Sequence, residues 1–176
     1  DKERLLYGSW EAREEAGGYF KRHWTPIVHG VDEKEVKMRV RCWDLAGSVP
    51  TEANPYPDWT VGVLMAKLSS GVYVVEHVER LQQRAGEVEN HIMEVTRKDR
   101  EMFGGNYKAY LPQDVGAAGL TARHYYAKMF RDKKIPVYFS RVSTQAGKMK
   151  NFEPFAASSE NGLVQVVRGD WNNAFF

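Results

Sequence analysis

The sequence predicts one α/β domain built on a mixed sheet, strand order 3-2-1-4-5, with the second strand antiparallel and helices on both faces. Three observations carry that prediction. From Val36 onward three strand-like segments follow one another with short links. After Gly86 the hydrophobic period changes from two to that of a helix, and strands then alternate with helices. The 176 residues, 43% hydrophobic and 27% charged, are enough for a real core.

Each element has its own signal. Val36, Met38, Val40 and Cys42 alternate with Lys37, Arg39 and Arg41, which predicts a first strand ending at Asp44 with the apolar set buried. A loop rich in Pro, Ser, Asn and Gly spans 47–57, and "WTVGVLMAKL" follows as the second strand. Ser69, Ser70 and Gly71 make a tight connection to a third, "VYVVEHV", completing an antiparallel meander. Val88, Ile92 and Val95 recur at helical spacing over 86–100. "NYKAYLP" is a fourth strand stopped by Pro112, which cannot donate to a continuing ladder. Ala118, Ala122, Tyr126 and Met129 mark a second helix, and "IPVYFS" a fifth strand. A third helix is expected over 148–160, with Phe152, Phe155, Ala156 and Ser159 on one face; Pro154 requires it to start late or to kink. "GLVQVV" adds a sixth strand. The order βββ-α-β-α-β-α is the ribonuclease H-like arrangement. Residues 1–30, aromatic and charged without sustained period, read as an extension that packs on something, and 31–176 as the domain proper.

Composition narrows the chemistry. No apolar run approaches the roughly 20 residues of a membrane span, and no signal-peptide pattern opens the chain, so a cytosolic setting is expected. The lone Cys42, inside an apolar strand pattern, reads as a packing residue. Five scattered histidines show no zinc-ligand spacing. The net charge of +2 is small, but eight bases stand against one acid between Thr121 and Lys150. On charge alone that stretch is a solvated helix face; beside a catalytic edge it could hold a phosphate backbone.

In this topology strands one and four are parallel neighbours, and their C-terminal ends share the edge where open α/β sheets bind ligands. Asp44 ends the first, and Asp114 lies just past the fourth. Asp58, at the start of antiparallel strand two, joins the same edge. Clustered carboxylates repel unless a cation neutralises them, and Mg²⁺ or Mn²⁺ suits oxygen ligands. Two such ions would serve phosphodiester hydrolysis. Each aspartate alone also fits a turn residue capping nearby amides. Glu76 and Glu79 on strand three read as solvent-facing.

"RCWDLAGS", "YPDWTVGVLM", "YLPQDVGAAG" and "GKMKNFEPFAASSENGLVQVVRGDWNNAFF", in that order, resemble the C-terminal nuclease domain of the large terminase subunit of tailed bacteriophages. "RLLYGSWEAREEAGGYFKRHWTPIV" is similar to the segment that joins the family's ATPase domain to its nuclease. The resemblance implies a metal-dependent endonuclease that cuts concatemeric double-stranded DNA for packaging, with Mg²⁺ or Mn²⁺ as cofactor. It makes Asp44 and Asp114 the catalytic and metal-binding aspartates and Asp58 a weaker ligand. Lys148 sits where the family often has a lysine near the cleft, and Arg123 and Lys150 are further candidates for DNA phosphates. The implied partners are DNA, the ATPase domain, the small terminase subunit and the portal or procapsid, with no membrane. The implied location is the cytoplasm of an infected bacterium.

Two departures accompany it. The family's third metal-binding aspartate, in a C-terminal D-D-x-x-D-A-like helix, has no counterpart before Phe176, and Asp170 matches a variable position. No G-x-x-x-x-G-K-[ST] loop is present. A fragment, or an unrecorded tail, is therefore expected, with cleavage by this fragment impaired by the absence of the third carboxylate. A non-catalytic DNA- or portal-docking module and another ribonuclease H-like nuclease or recombinase are the alternatives.

Overall fold

The computed structural model describes residues 20–113, 117–141 and 145–175. The elements are β1 (Ile27–Val28), β2 (Val36–Asp44), β3 (Thr60–Leu68), β4 (Tyr73–Leu81), α1 (Ala85–Phe103), β5 (Tyr107–Gln113), α2 (Ala117–Asp132), β6 (Tyr138–Arg141), α3 (Gln145–Glu160), β7 (Val164–Val167) and α4 (Asn172–Phe175). One sheet runs β1-β7-β4-β3-β2-β5-β6. Its centre, β4-β3-β2-β5-β6, is the 3-2-1-4-5 order expected from the sequence. β3 is antiparallel to both neighbours, and every other pairing is parallel.

Ile27 and Val28, expected to belong to the extension, pair with β7 as a short edge strand. Phe20 stacks on Phe155 of α3 at 5.8 Å between ring centroids, which is packing of the expected kind. α3 begins at Gln145, earlier than expected, and runs through Pro154. A proline there supplies no N–H to the helical ladder. Beyond it the Ser158 and Ser159 hydroxyls donate to the carbonyls of Pro154 and Phe155.

The faces of β2 are the reverse of the sequence expectation. Arg39, Arg41 and Trp43 are buried, whereas Met38 and Cys42 are exposed. The cause is partner chemistry, because a buried charge is tolerated only when paired and hydrogen-bonded. Arg39 donates to both Glu33 and Glu76, and Arg41 to both oxygens of Asp99 on α1. Burial opposes the charge of Arg39, but the bonds to Glu76 and Glu33 carry its pKa above the ordinary arginine value. Glu76 and Glu79 are likewise not the solvent-facing residues expected: Glu76 holds Arg39, and Glu79 meets His91 of α1 at 3.1 Å. A register shift between Leu64 and Met65, where His77 and Val75 are the successive partners, leaves Glu76 as the extra residue of β4.

α1 and α2 cover this arginine-bearing face. Val88, Ile92 and Val95 of α1 pack with Trp43, Leu111, Phe130 and Ile135. The α1 N-terminus is closed by Glu87, which accepts the Arg84 backbone N–H. On the opposite face Trp171 and Phe175 pack against Val63, Met65, Val75, Val78 and Val166. Helical elements thus lie on both faces. The second face stays open along β2, β5 and β6, where Cys42 and Tyr138 are exposed among the described residues.

Candidate functional site

The end of β2 is held from three sides. Trp43 lies inward, and Leu45 packs against the same core, so the residue between them, Asp44, takes the other face of the sheet and is exposed. A side chain cannot fit opposite Trp43: a Cβ on Gly62 would stand 2.5 Å from its ring. Glycine inside a strand pattern is thus the cradle of an indole, and Arg41 also donates to the Gly62 carbonyl at 3.2 Å. The fully buried Thr60 hydroxyl accepts from the Ala46 N–H and donates to the Ala46 carbonyl. It fixes the chain just after Asp44.

Asp44 pairs across the sheet with Val61, and Val61 with Arg80. Directly opposed residues share a face, so Asp44, Val61 and Arg80 form one row on the open side. Asp58 is exposed in the loop entering β3, and the Pro57 carbonyl of that loop accepts from Gln82 at 2.6 Å. Asp58 and Asp44 thus lie toward the same end of the β2–β3 pair. β5 runs parallel beside β2 from the Arg39–Tyr107 pair to Cys42–Tyr110 and ends at Gln113. Asp114 follows immediately and lies outside the described residues.

The candidate basic residues are spread more widely. Arg123, on α2, lies over the Phe139 ring at 5.4 Å, and Phe139 packs into the α1 side of the sheet, away from Asp44. Lys150 is exposed on α3. Lys148 is on the same helix, and its side chain is outside what is described. Arg80, Trp59 and Thr60 were not anticipated at this edge. Only Gly62, a glycine interrupting a strand pattern, left a legible sign of close approach.

Acidic and imidazole side chains also gather on the other face. His77, Glu79, His91, Glu94 and Asp99 line an open cavity of about 510 Å³ between β4 and α1. The sheet separates it from Asp44. Among the described residues no three His, Cys, Asp or Glu side chains are grouped to hold a metal ion. What the edge offers is carboxylate oxygen from Asp44 and Asp58, a donor chemistry that fits a hard divalent cation and leaves further positions to other ligands.

Comparison with known proteins adds the following. A family model described as the terminase RNaseH-like domain matches residues 41–176. The fold resembles the large terminase nuclease of thermophilic phage G20c with bound magnesium, at 13% identity and TM-score 0.52, over 86% of this chain and 74% of that one. The same nuclease with bound cobalt gives TM-score 0.51 at 13% identity, over 86% and 73% of the two chains. The terminase nuclease domain of human cytomegalovirus, manganese-soaked and inhibitor-bound, gives 0.53 at 8% identity, over 85% and 75%. No curated protein sequence matches the chain. Among the described residues, no helix is long and apolar enough to cross a membrane.

Proposed function

The chain belongs to the terminase RNaseH-like domain family, and from that premise we infer that it is a divalent-metal-dependent endonuclease domain that cuts concatemeric double-stranded DNA during viral packaging. The observation that carries this reading is the position of Asp44: an exposed carboxylate at the end of a central strand, beside a parallel strand that ends one residue before Asp114. Asp44 and Asp114 are the proposed metal ligands and catalytic residues, with Asp58 a weaker contributor. Mg²⁺ or Mn²⁺, bound as a pair, would supply the Lewis acidity for phosphodiester hydrolysis. The chain's own part is to hold its carboxylates rigidly on a sheet edge open to a broad substrate, through the Trp43–Gly62 seat and the Thr60 clamp on Ala46. Lys148 and Lys150 on α3 are proposed to reach DNA phosphates, and Arg123 to add positive charge from the other face.

Residues 1–30 are proposed to connect to a packaging ATPase domain, with 31–176 forming the nuclease unit. Further proposed partners are the small terminase subunit and the portal or procapsid, and the proposed setting is the cytoplasm of an infected bacterium. The test is plasmid cleavage by the whole chain with millimolar Mg²⁺ or Mn²⁺, against EDTA. Asp44→Asn is expected to lower the rate at least about 100-fold, since losing even an outer partner of a metal ligand costs about 10- to 100-fold. Undiminished cutting by that variant would remove Asp44 from the site.

A further inference from the structure

We propose that the sheet face carrying Asp44 is the seat of the DNA backbone, and that Arg80 and Lys108 each hold a phosphate there, one on either side of Asp44. This rests on the nuclease reading above and adds to it two positioning residues. Arg80 stands in the Asp44–Val61–Arg80 row. At about 4.8 Å between strands, the bases of the Asp44 and Arg80 side chains are about 10 Å apart. Lys108 pairs with Val40, four residues before Asp44 on the same face and one strand to the other side. A rise of about 3.3 Å per residue puts it about 14 Å from Asp44. The two cations therefore flank the carboxylate, each on its own side of a backbone laid across this face.

Both cations are held for the purpose by aromatic rings. The Arg80 guanidinium lies 3.8 Å from the Trp59 ring centroid, and Trp59 is 40% exposed. Lys108 Nζ lies 5.4 Å from the ring of Tyr138, which stacks on Tyr110. A ring orders a long side chain without neutralising it, whereas a carboxylate partner would do both. Among the described residues neither cation is paired with a carboxylate, while Arg39, Arg41, Arg97 and Lys98, all off this face, are. Arg80 and Lys108 thus stand on Asp44's face as ordered cations that no described carboxylate neutralises.

The test measures binding of a fluorescent 30-base-pair duplex in EDTA at several salt concentrations, alongside plasmid cleavage with Mn²⁺. Each phosphate contact contributes about 0.9 to the slope of log affinity against log salt. Arg80→Gln and Lys108→Gln are each expected to reduce the slope by about 0.9 and weaken binding about tenfold near 0.1 M salt. The double variant should lose about twice that slope, and Arg80→Lys should keep it. Trp59→Leu should weaken binding with the slope unchanged, because the charge remains but is no longer held. Melting temperatures of the Gln variants should stay close to the parent's, since Arg80 is exposed and Lys108 partly exposed, and neither holds a buried partner. Parental slope and affinity in the double variant would overturn the proposal while leaving the nuclease reading intact. A parent that binds, with the variants losing those slopes, but never cuts would support the proposal and count against cleavage by this chain on its own. A parent that binds no duplex would overturn the proposal outright.

Discussion

At the residue scale, Asp44 is positioned by neighbours that carry no chemistry. Trp43 can lie flat only because position 62 has no side chain. Gly62→Ala is expected to cost about 1–3 kcal/mol, the usual price of overpacking, and to reduce cleavage further by tilting the end of β2. Urea denaturation and plasmid cleavage on the same sample separate the two effects. His77 makes a second prediction. Burial, then the positive charge of Arg41, lower its pKa from 6.5, with Glu79 and Asp99 opposing. The unfolded chain therefore binds the proton more readily, and stability is lost as pH falls through 6.5 toward the depressed folded value. Melting temperatures at pH 7.5 and 5.5 should fall less for His77→Gln than for the parent. An equal fall would assign the acid sensitivity to other groups.

At the element scale, β2 is joined to α1 by a buried ion pair as well as by the apolar packing of Trp43. Arg41 Nε donates to Asp99 Oδ2 at 2.6 Å. Arg41→Met alone leaves a buried carboxylate and is expected to cost about 3–5 kcal/mol, while Arg41→Met with Asp99→Leu should regain most of it. Denaturant midpoints of the two variants decide this. The same pair explains why the period-two pattern of β2 was legible but its direction was not. Alternation says that Arg39 and Arg41 share one face and Val40 and Cys42 the other. Which face is buried depends on Glu33, Glu76 and Asp99, and two of these are distant in the sequence. Periodicity served α1 well because its stripe is apolar, and Val88, Ile92 and Val95 are buried as expected. α3 exceeded its expected start because Pro154 removes one donor without preventing the turns on either side of it.

At the scale of the whole molecule, the open face ties these parts to function. Cys42, the only thiol, is exposed on that face two residues before Asp44. Maleimide should label it in the native chain, more slowly than an ordinary thiol because burial pushes its pKa up, and excess duplex should slow the reaction further. Labelling only after unfolding would contradict the open face. Divalent metal should also stabilise the fold by mass action, by about 2.7 kcal/mol at a hundredfold excess over the dissociation constant. A Mn²⁺ titration should raise the melting temperature of the parent and not of Asp44→Asn. An equal rise in both would place the metal elsewhere.

The sequence by itself determined the strand and helix order, the 3-2-1-4-5 core of the sheet and the place of Asp44 at the end of a central strand. These follow from local periodicity, turn chemistry and the few ways such elements connect. Only the tertiary structure decided that the arginines of β2 point inward, that Glu76 and Glu79 serve the opposite face, and that Arg80 stands in Asp44's row. Those outcomes depend on register and on partners far apart in the chain. A strand's pattern fixes which residues travel together, and what it packs against fixes which way they face.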